Sequence, residues 1–402
     1  MHHRFHLHIH RPHYFEGKVS GGYITLFINS VITDAVMGLF AVFLPIFLYL
    51  ILESIQGVIL YYLASYILLL FFVFFLSHGL NSFSFRKALR LSALVGALFY
   101  LSFFFLDKDN YWFILPFSVI FISLWRFLYW IPYNVDLTKF TSKRNRGRQL
   151  GLIEVAFGIT SILTPLIAGF IIEDFGFKAL FFLAFLAFGL SFVPLIFTPR
   201  TKEKLSWSRK KIIKKILDKE NRQAFLIFFA DGAETVAGFL IWPIFIFLIL
   251  GDDYLKIGSV LTMVVSVTVV MQLLAGKFID KGCYREKMVK FGGVFYAIGW
   301  LAKIFVLSAF HIFVVDAFHK FTQIFYRTPL DVFVFEKAYE QKHLVDEFVV
   351  FREIGLCLGK IAMLALLLVS SFFVSINWLF VFGALFSLFL SLVYSKLHCS
   401  LR

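Results

Sequence analysis

The stretch TPRTKEKLSWSRKKIIKKILDKENR, residues 198–222, is the longest hydrophilic segment of the chain and divides it into two halves of similar length. On both sides of it the sequence is dominated by apolar runs of about 20 residues, each long enough as an α-helix to cross a hydrocarbon core of roughly 30 Å. The chain is 60% hydrophobic and 20% aromatic, well above the apolar share of about 45–50% in soluble domains. The composition therefore predicts an all-α integral membrane protein.

Twelve membrane-spanning helices are predicted, six before the hydrophilic segment and six after it. They cover residues 23–50, 55–76, 88–106, 111–132, 150–172, 177–197, 223–250, 256–276, 288–310, 311–335, 347–371 and 376–395. The predicted organisation is a histidine-rich cytosolic tail, an N-terminal six-helix bundle, a basic cytoplasmic linker, a C-terminal six-helix bundle and a short cytosolic tail. Their bounds are 1–22, 23–197, 198–222, 223–395 and 396–402.

The distribution of positive charge predicts the orientation, because cytoplasmic loops of membrane proteins collect Lys and Arg. With the N-terminus inside, the inner loops and tails hold thirty Lys and Arg residues, whereas the outer loops hold only Lys108, Lys178 and Lys256. We therefore expect both termini inside the cell, in a multi-pass protein of the plasma or inner membrane. The net charge of +14 is accounted for by this topology, and no nucleic-acid partner is expected.

A weak internal repeat relates the two halves. YWIPYNVDLTKF (129–140) in the fourth span is similar to YRTPLDVFVFEK (326–337) in the tenth, and TDAVMGLF (33–40) in the first span is similar to AETVAGFL (233–240) in the seventh. The second alignment pairs Asp34 with Glu234 and, after a difference of two residues, Pro45 with Pro243. A parallel repeat of six helices with a central cytoplasmic loop is the construction of a large group of secondary transporters, whose substrate site lies near the midplane between the halves.

The loop after the eighth span, GKFIDKGCYREK (276–287), carries a short motif that resembles the cytoplasmic loop of the major facilitator superfamily. Gly276, Asp280, Lys281 and Arg285 match the motif, whereas the loop after the second span lacks its Asp. The resemblance extends over essentially the whole chain. It implies two pseudo-symmetric six-helix bundles that alternate access to a small-molecule substrate, with the four motif residues in a gating loop that stabilises the closed-inside state.

The fifth span contains GITSILTPLIAG (158–169), which is similar to the Gly-Pro-x-x-Gly-Gly signature of antiporters in this family. Thr164 and Ala168 replace two of the glycines. The small residues Gly158, Pro165 and Gly169 still share one helix face, which permits close contact with another helix. The resemblance favours export by antiport, and uptake by symport stays open as the alternative.

Four acids within predicted spans are candidate proton-coupling residues. Asp34 and Glu234 lie near the midplane, and Glu154 and Glu353 lie one to two turns from the cytoplasmic ends of spans five and eleven. Burial in a low dielectric disfavours a charged carboxylate, so that such a group can load and release a proton. For the second pair a structural alternative is equally open, in which Glu353 pairs with Lys360 and Glu154 with Arg126.

Other polar residues within the spans are candidate cavity residues. Arg126 and Trp130 of span four and Asp231 of span seven lie on polar faces, and span ten carries a stripe about 120° wide. The stripe consists of Asp316, His319, Lys320, Gln323, Arg327 and Asp331. Charged groups at the bilayer centre cost about 2.5–3.5 kcal/mol each on insertion scales, so we expect them to line a central cavity. The resemblance implies that spans three, six, nine and twelve lie on the outside of the bundles, and Lys303 in span nine is an exception to their apolar character.

Pairing between neighbours on the same helix is the alternative for span ten, since Asp316 with Lys320 and Arg327 with Asp331 are i,i+4 pairs. The charge of the substrate also stays open. The acids favour a cationic or neutral ligand, whereas Arg126, Lys320, Arg327 and Arg352 suit an organic anion.

The sequence contains no nucleophile elbow, phosphate loop or metal-ligand pair on a span, and the three cysteines have no CxxC spacing. We therefore expect no enzyme, no cofactor and no metal site, and a monomer whose partners are the substrate, protons and lipid. Six of the eleven histidines lie in the first 13 residues. They form either a mobile tail or, through His6, His8 and His10, a transition-metal site. A membrane sensor that uses the same fold without transport is the remaining alternative.

Overall fold

The structure is a computed structural model that describes residues 19–77, 79–141, 145–201, 209–279, 285–340 and 345–400. These residues are almost entirely helical, and no strand occurs among them. The α-helices are α1 Gly21–Phe40, α2 Phe43–Leu52, α3 Ile55–Leu76, α4 Gly79–Phe83, α5 Phe85–Phe104, α6 Tyr111–Phe140, α7 Arg146–Ile196, α8 Arg209–Leu217, α9 Lys219–Val236, α10 Trp242–Leu250, α11 Tyr254–Ile279, α12 Arg285–Ala302, α13 Ala309–Glu340, α14 Val345–Ser370 and α15 Phe380–Ser400. A π-helix, Ala237–Ile241, joins α9 to α10, and short 3-10 helices occupy Lys303–Phe305 and Ile376–Leu379.

Ten helical segments of the described residues are long and apolar enough to cross a membrane. One of them is the 51-residue α7, whose backbone leaves the helical conformation at Gly176 (φ 79°, ψ 169°). Helix α13, which carries the charged stripe, is not among the ten. The chain is a multi-pass helical membrane protein, and the count of twelve spans stays a prediction.

The first predicted span, 23–50, is divided into α1 and α2 at Ala41 and Val42. The reason is Pro45, which has no N–H to donate to the carbonyl of Ala41. The corresponding Pro243 comes two residues after the end of the π-helix. Pro243 has no N–H to donate to the carbonyl of Phe239, which lies within the π-helix. Both halves therefore depart from regular α-helix just before the aligned prolines.

Polar residues and glycine set the helix ends. The Ser20 hydroxyl accepts a hydrogen bond from the Tyr23 N–H at 3.1 Å at the start of α1, and Ser54 caps α3 in the same way through Gly57. Helix α10 ends before Gly251, whose φ of 69° favours glycine because it lacks a Cβ. These signals place the short loops between successive membrane helices.

The helices pack on one another within a first half (residues 21–196) and a second half (residues 219–400), and some helices also make contacts between the halves. In the first half, α1 and α5 pack on α7 and α3 packs on α6, whereas in the second half α9 packs on α14 and α12 packs on α13 and α15. Helices α3 with α14 and α7 with α11 are the principal contacts between the halves. The division into two six-helix domains stays a prediction.

Hydrogen bonds join the halves near the end of the molecule that is predicted to face outside. Gln56 Nε2 donates to the Ser371 carbonyl at 3.0 Å, the Tyr254 N–H donates to Glu173 Oε2 at 3.1 Å, and Thr262 Oγ1 donates to the carbonyl of Ile162 at 3.0 Å. These bonds link α3 with the loop after α14, and α7 with α11.

The small residues of the fifth span lie at this contact between halves. A Cβ on Gly169 would lie 2.4 Å from the Tyr254 carbonyl oxygen, and a Cβ on Gly258 would lie 2.3 Å from the Pro165 carbonyl oxygen. Only glycine permits this approach of α7 to α11. The predicted close contact is confirmed for Pro165 and Gly169.

Candidate functional site

The acid of the first half, Asp34, lies near the middle of α1 and is half-buried. Its carboxylate accepts a hydrogen bond from the Thr160 hydroxyl of α7. One turn further along α1, Gly38 faces Thr164, whose hydroxyl would lie 2.5 Å from a Cβ at that position. Asp34 therefore lies where α1 packs closely on α7.

The acid of the second half, Glu234, lies near the middle of the helix formed by α9 and α10, and its exposed fraction is 2%. The Tyr296 hydroxyl of α12 donates to Glu234 Oε1 at 2.5 Å, and Gln323 Nε2 of α13 donates to the Tyr296 oxygen at 3.2 Å. Sequence reasoning missed Tyr296 because one tyrosine in an apolar, aromatic-rich span gives no signal. The structure thus places Glu234 at the end of a chain of hydrogen bonds across three helices.

Arg327 of α13 forms an ion pair with Asp231 of α9. Whether Arg327 is also neutralised by Asp331 on its own helix stays a prediction. The Asp331 side chain lies outside what the structure describes. Asp231 and Arg327 are both predicted cavity residues, and the structure brings them together as an ion pair.

Lys303 is the charged residue of the otherwise apolar ninth span, and it forms an ion pair with Asp316. Lys303 Nζ lies 2.8 Å from Asp316 Oδ1, and both side chains are 2% exposed. The ammonium also lies 4.0 Å and 4.6 Å from the ring centroids of Trp242 and Trp300, within the range of cation–π attraction. The ion pair of Asp316 is thus with another helix, and not with Lys320, the i,i+4 partner of the alternative interpretation.

Two members of the span-ten stripe, Asp316 and His319, are buried by helix packing, and whether the stripe lines a cavity stays a prediction. Their exposed fractions are 1% and 4%, and the His319 ring stacks on the Tyr296 ring with centroids 4.2 Å apart. Helix α12 covers this part of α13. Lys320, Gln323 and Arg327 are half-buried.

A group of residues from both halves, which we name the central cluster, surrounds the ring of Tyr66 on α3. Arg126 of α6 has its guanidinium carbon 4.5 Å from the Tyr66 ring centroid, and Lys360 of α14 has its ammonium nitrogen 4.9 Å from the same centroid. Arg126 also donates to the Ser65 hydroxyl at 3.3 Å. The Phe239 ring of the π-helix lies 6.2 Å from Tyr66 and completes the central cluster.

The remaining predicted residues lie around these groups. Trp130 is half-buried, with its ring 5.2 Å from the Tyr129 ring. The Glu154 side chain is exposed on α7, and Glu353 is half-buried on α14. Within the part of the chain that the structure describes, Glu353 and Lys360 form no ion pair. Whether Glu154 and Glu353 couple protons stays a prediction.

The predicted gating loop falls largely outside the described residues. Asp280 and Lys281 are not described, and Gly276 and Arg285 belong to α11 and α12 without a description of their side chains. Residues 1–18 of the histidine-rich tail also lie outside the described residues. The roles of both segments stay predictions.

The fold and these groups define the class of the protein as a polytopic helical membrane protein with paired intramembrane acids and ion pairs. The model of the family described as the Major Facilitator Superfamily matches residues 26–318. The match spans well over half of the 402 residues, and the chain belongs to this family. No similar protein was found among curated proteins. The predicted family is confirmed, and membership of it supports a membrane transporter.

Proposed function

We propose that the protein is a proton-coupled secondary transporter that moves a small molecule by alternating access, with export by antiport as its direction. The observation that carries the proposal is the placement of Asp34 and Glu234. They occupy aligned positions in the first helix of each half, and each accepts a hydrogen bond from the hydroxyl of another helix in its own half.

The chemistry of these two sites suits a proton carrier. A hydroxyl group can donate to a charged carboxylate and can equally accept from a protonated one. Neither Asp34 nor Glu234 has an ion-pair partner among the described residues, so neither is fixed in the charged form by a cation in direct contact. Both protonation states therefore have a hydrogen-bonded arrangement.

Antiport is favoured by the position of the GITSILTPLIAG stretch. It lies on α7 where Gly169 and Pro165 meet α11 of the other half. In the proposed topology, with twelve spans and both termini inside, this contact closes the outer side. The close backbone contacts between α7 and α11 can separate together when the two halves move relative to each other. Because α1 packs on α7, protonation of Asp34 would shift the equilibrium of that movement.

The test is a flux assay in proteoliposomes that contain the full chain, with a panel of labelled small carboxylates, amines and neutral solutes. Each solute is measured with and without an imposed pH gradient. For antiport we expect the solute flux to be faster when the pH gradient drives protons in the direction opposite to the solute. Acceleration by a gradient in the same direction indicates symport, no dependence on the gradient refutes proton coupling, and no flux of any solute favours the sensor.

The coupling residues are tested by Asp34→Asn and Glu234→Gln, which keep the shape of the side chain and remove its charge. Both variants should lose the dependence on the gradient. Asp109→Asn is the matched control, because Asp109 is an exposed acid in the loop between α5 and α6. Gradient-driven flux at the wild-type rate in both Asp34→Asn and Glu234→Gln would refute the assignment.

A further inference from the structure

The cations of the central cluster differ from Arg327 and Lys303 in their ion pairing. Arg327 is neutralised by Asp231, and Lys303 is neutralised by Asp316. By contrast, neither Arg126 nor Lys360 has an ion-pair partner among the described residues.

The two unpaired cations come from opposite halves and meet at one ring. Their distances of 4.5 Å and 4.9 Å from the Tyr66 centroid put the cationic groups within 9.4 Å of each other. Both side chains are half-buried. Two like charges at this separation in a membrane repel each other and require a counter-charge or water.

The walls of the central cluster are aromatic. Phe239 of the second half lies 5.4 Å from Tyr62 and 6.2 Å from Tyr66, both of the first half, as measured between ring centroids. Binding sites for small molecules combine apolar walls of this kind with a few polar groups that fix the orientation of the ligand. The site therefore offers an apolar surface for a ligand body and two cations for its charged group.

The acids are placed differently from these cations. Asp34 is bonded to Thr160 and Glu234 to Tyr296, each within its own half. The acid nearest to Lys360 along α14 is Glu353, seven residues earlier, and the two form no ion pair within the described part of the chain. One carboxylate against two cations leaves a positive charge for a ligand to balance.

We propose that the substrate is a small organic anion, whose carboxylate binds between Arg126 and Lys360 beside Tyr66. The inference rests on the proposed transport function and names the substrate class of that site. Because one cation belongs to each half, the bound anion bridges the halves, and its departure leaves two like charges facing each other. The substrate charge is thereby linked to the relative position of the halves.

The test measures binding without transport. The purified full chain in detergent is unfolded by heat in the presence of benzoate, benzylamine or benzamide, and then of butyrate, butylamine or butyramide. Within each trio the solutes are similar in size and differ in charge. We expect a carboxylate to raise the unfolding temperature, and the amines and amides to leave it unchanged.

Arg126→Gln and Lys360→Gln should each raise the carboxylate concentration needed for half of this shift by about 10- to 100-fold, the range for loss of one hydrogen bond to a charged group. Lys256→Gln is the control, because Lys256 is exposed at the start of α11. Arg126→Lys and Lys360→Arg keep the charge and should keep most of the carboxylate shift, which separates binding from a purely structural role.

Stabilisation by amines or amides equal to that by carboxylates, no stabilisation by either carboxylate, or unchanged carboxylate binding in both Gln variants would overturn the inference. The two proposals fail separately. Carboxylate binding without gradient-driven flux refutes proton coupling alone, and gradient-driven flux of an amine refutes the anion site alone.

Discussion

The buried ion pair between Lys303 and Asp316 gives a quantitative prediction about stability. Its atoms lie 2.8 Å apart and its side chains are 2% exposed. Removing one partner of such a pair leaves an uncompensated buried charge, which costs about 3–5 kcal/mol. Lys303→Met and Asp316→Leu should each lower the free energy of unfolding by about this amount.

The double variant Lys303→Met/Asp316→Leu should recover most of the loss, because replacing a whole buried pair by apolar side chains is often neutral or stabilising by about 1–4 kcal/mol. The apolar neighbours are available, since Trp242 and Trp300 already contact the Lys303 ammonium. Part of the recovery should be offset by the lost cation–π attraction, about 2 kcal/mol where the cation is desolvated.

The assay is equilibrium unfolding of the detergent-solubilised protein by increasing SDS, with the two single variants and the double variant compared in one cycle. Lys178→Met with Asp107→Leu is the matched control. That pair has a similar distance of 3.0 Å, but its side chains are 55% and 53% exposed, so its loss should cost no more than about 1 kcal/mol. Equal losses for the buried and the exposed pair, or a double variant as unstable as the singles, would refute the reasoning.

Two further predictions concern the outer end. Gly258→Val should force α7 and α11 apart, since a Cβ there would lie 2.3 Å from the Pro165 carbonyl oxygen; pulsed spin-label distances across the halves should lengthen, whereas Gly189→Ala, which meets no atom within 4 Å, should leave them unchanged. The hydrogen bond and the charge of Lys108 lower the pKa of Glu53, so the contact should be present at neutral pH and lost as pH falls through this lowered pKa. Carboxyl NMR titration should find the pKa of Glu53 returned to its usual range in Lys108→Gln, and an unchanged value would contradict the pairing.

The helical membrane class and the family could be predicted from the sequence because they depend on properties that are local along the chain. Apolar runs of sufficient length and basic loops at alternate positions need no knowledge of tertiary contacts. The same holds for the close contact at Gly169, because small residues at helical spacing already mark a face that can approach another helix.

The partners of the charged residues could not be predicted in this way. Helical periodicity assigns a residue to a face, but it does not say which helix lies opposite. For Arg327 the i,i+4 residue Asp331 is the nearest acid in sequence, whereas the fold also brings Asp231 of α9 to it. For Lys360 the sequence leaves open a pair with Glu353 on the same helix, whereas α14 places its ammonium beside Tyr66 of the other half.

The repeat aligns Asp34 with Glu234, but the fold gives the two acids different surroundings, and the difference bears on their proposed roles. The partner of Asp34 is Thr160 on α7, a helix that also packs on α11 of the second half. The partner of Glu234 is Tyr296 on α12, which packs on α13 and α15 of its own half. A movement between the halves must therefore change the contacts of α7 directly, whereas it can leave the surroundings of Tyr296 intact. Under the proposed mechanism Asp34 is the acid whose proton affinity responds first to rocking, and Glu234 acts from within a half that moves as one body.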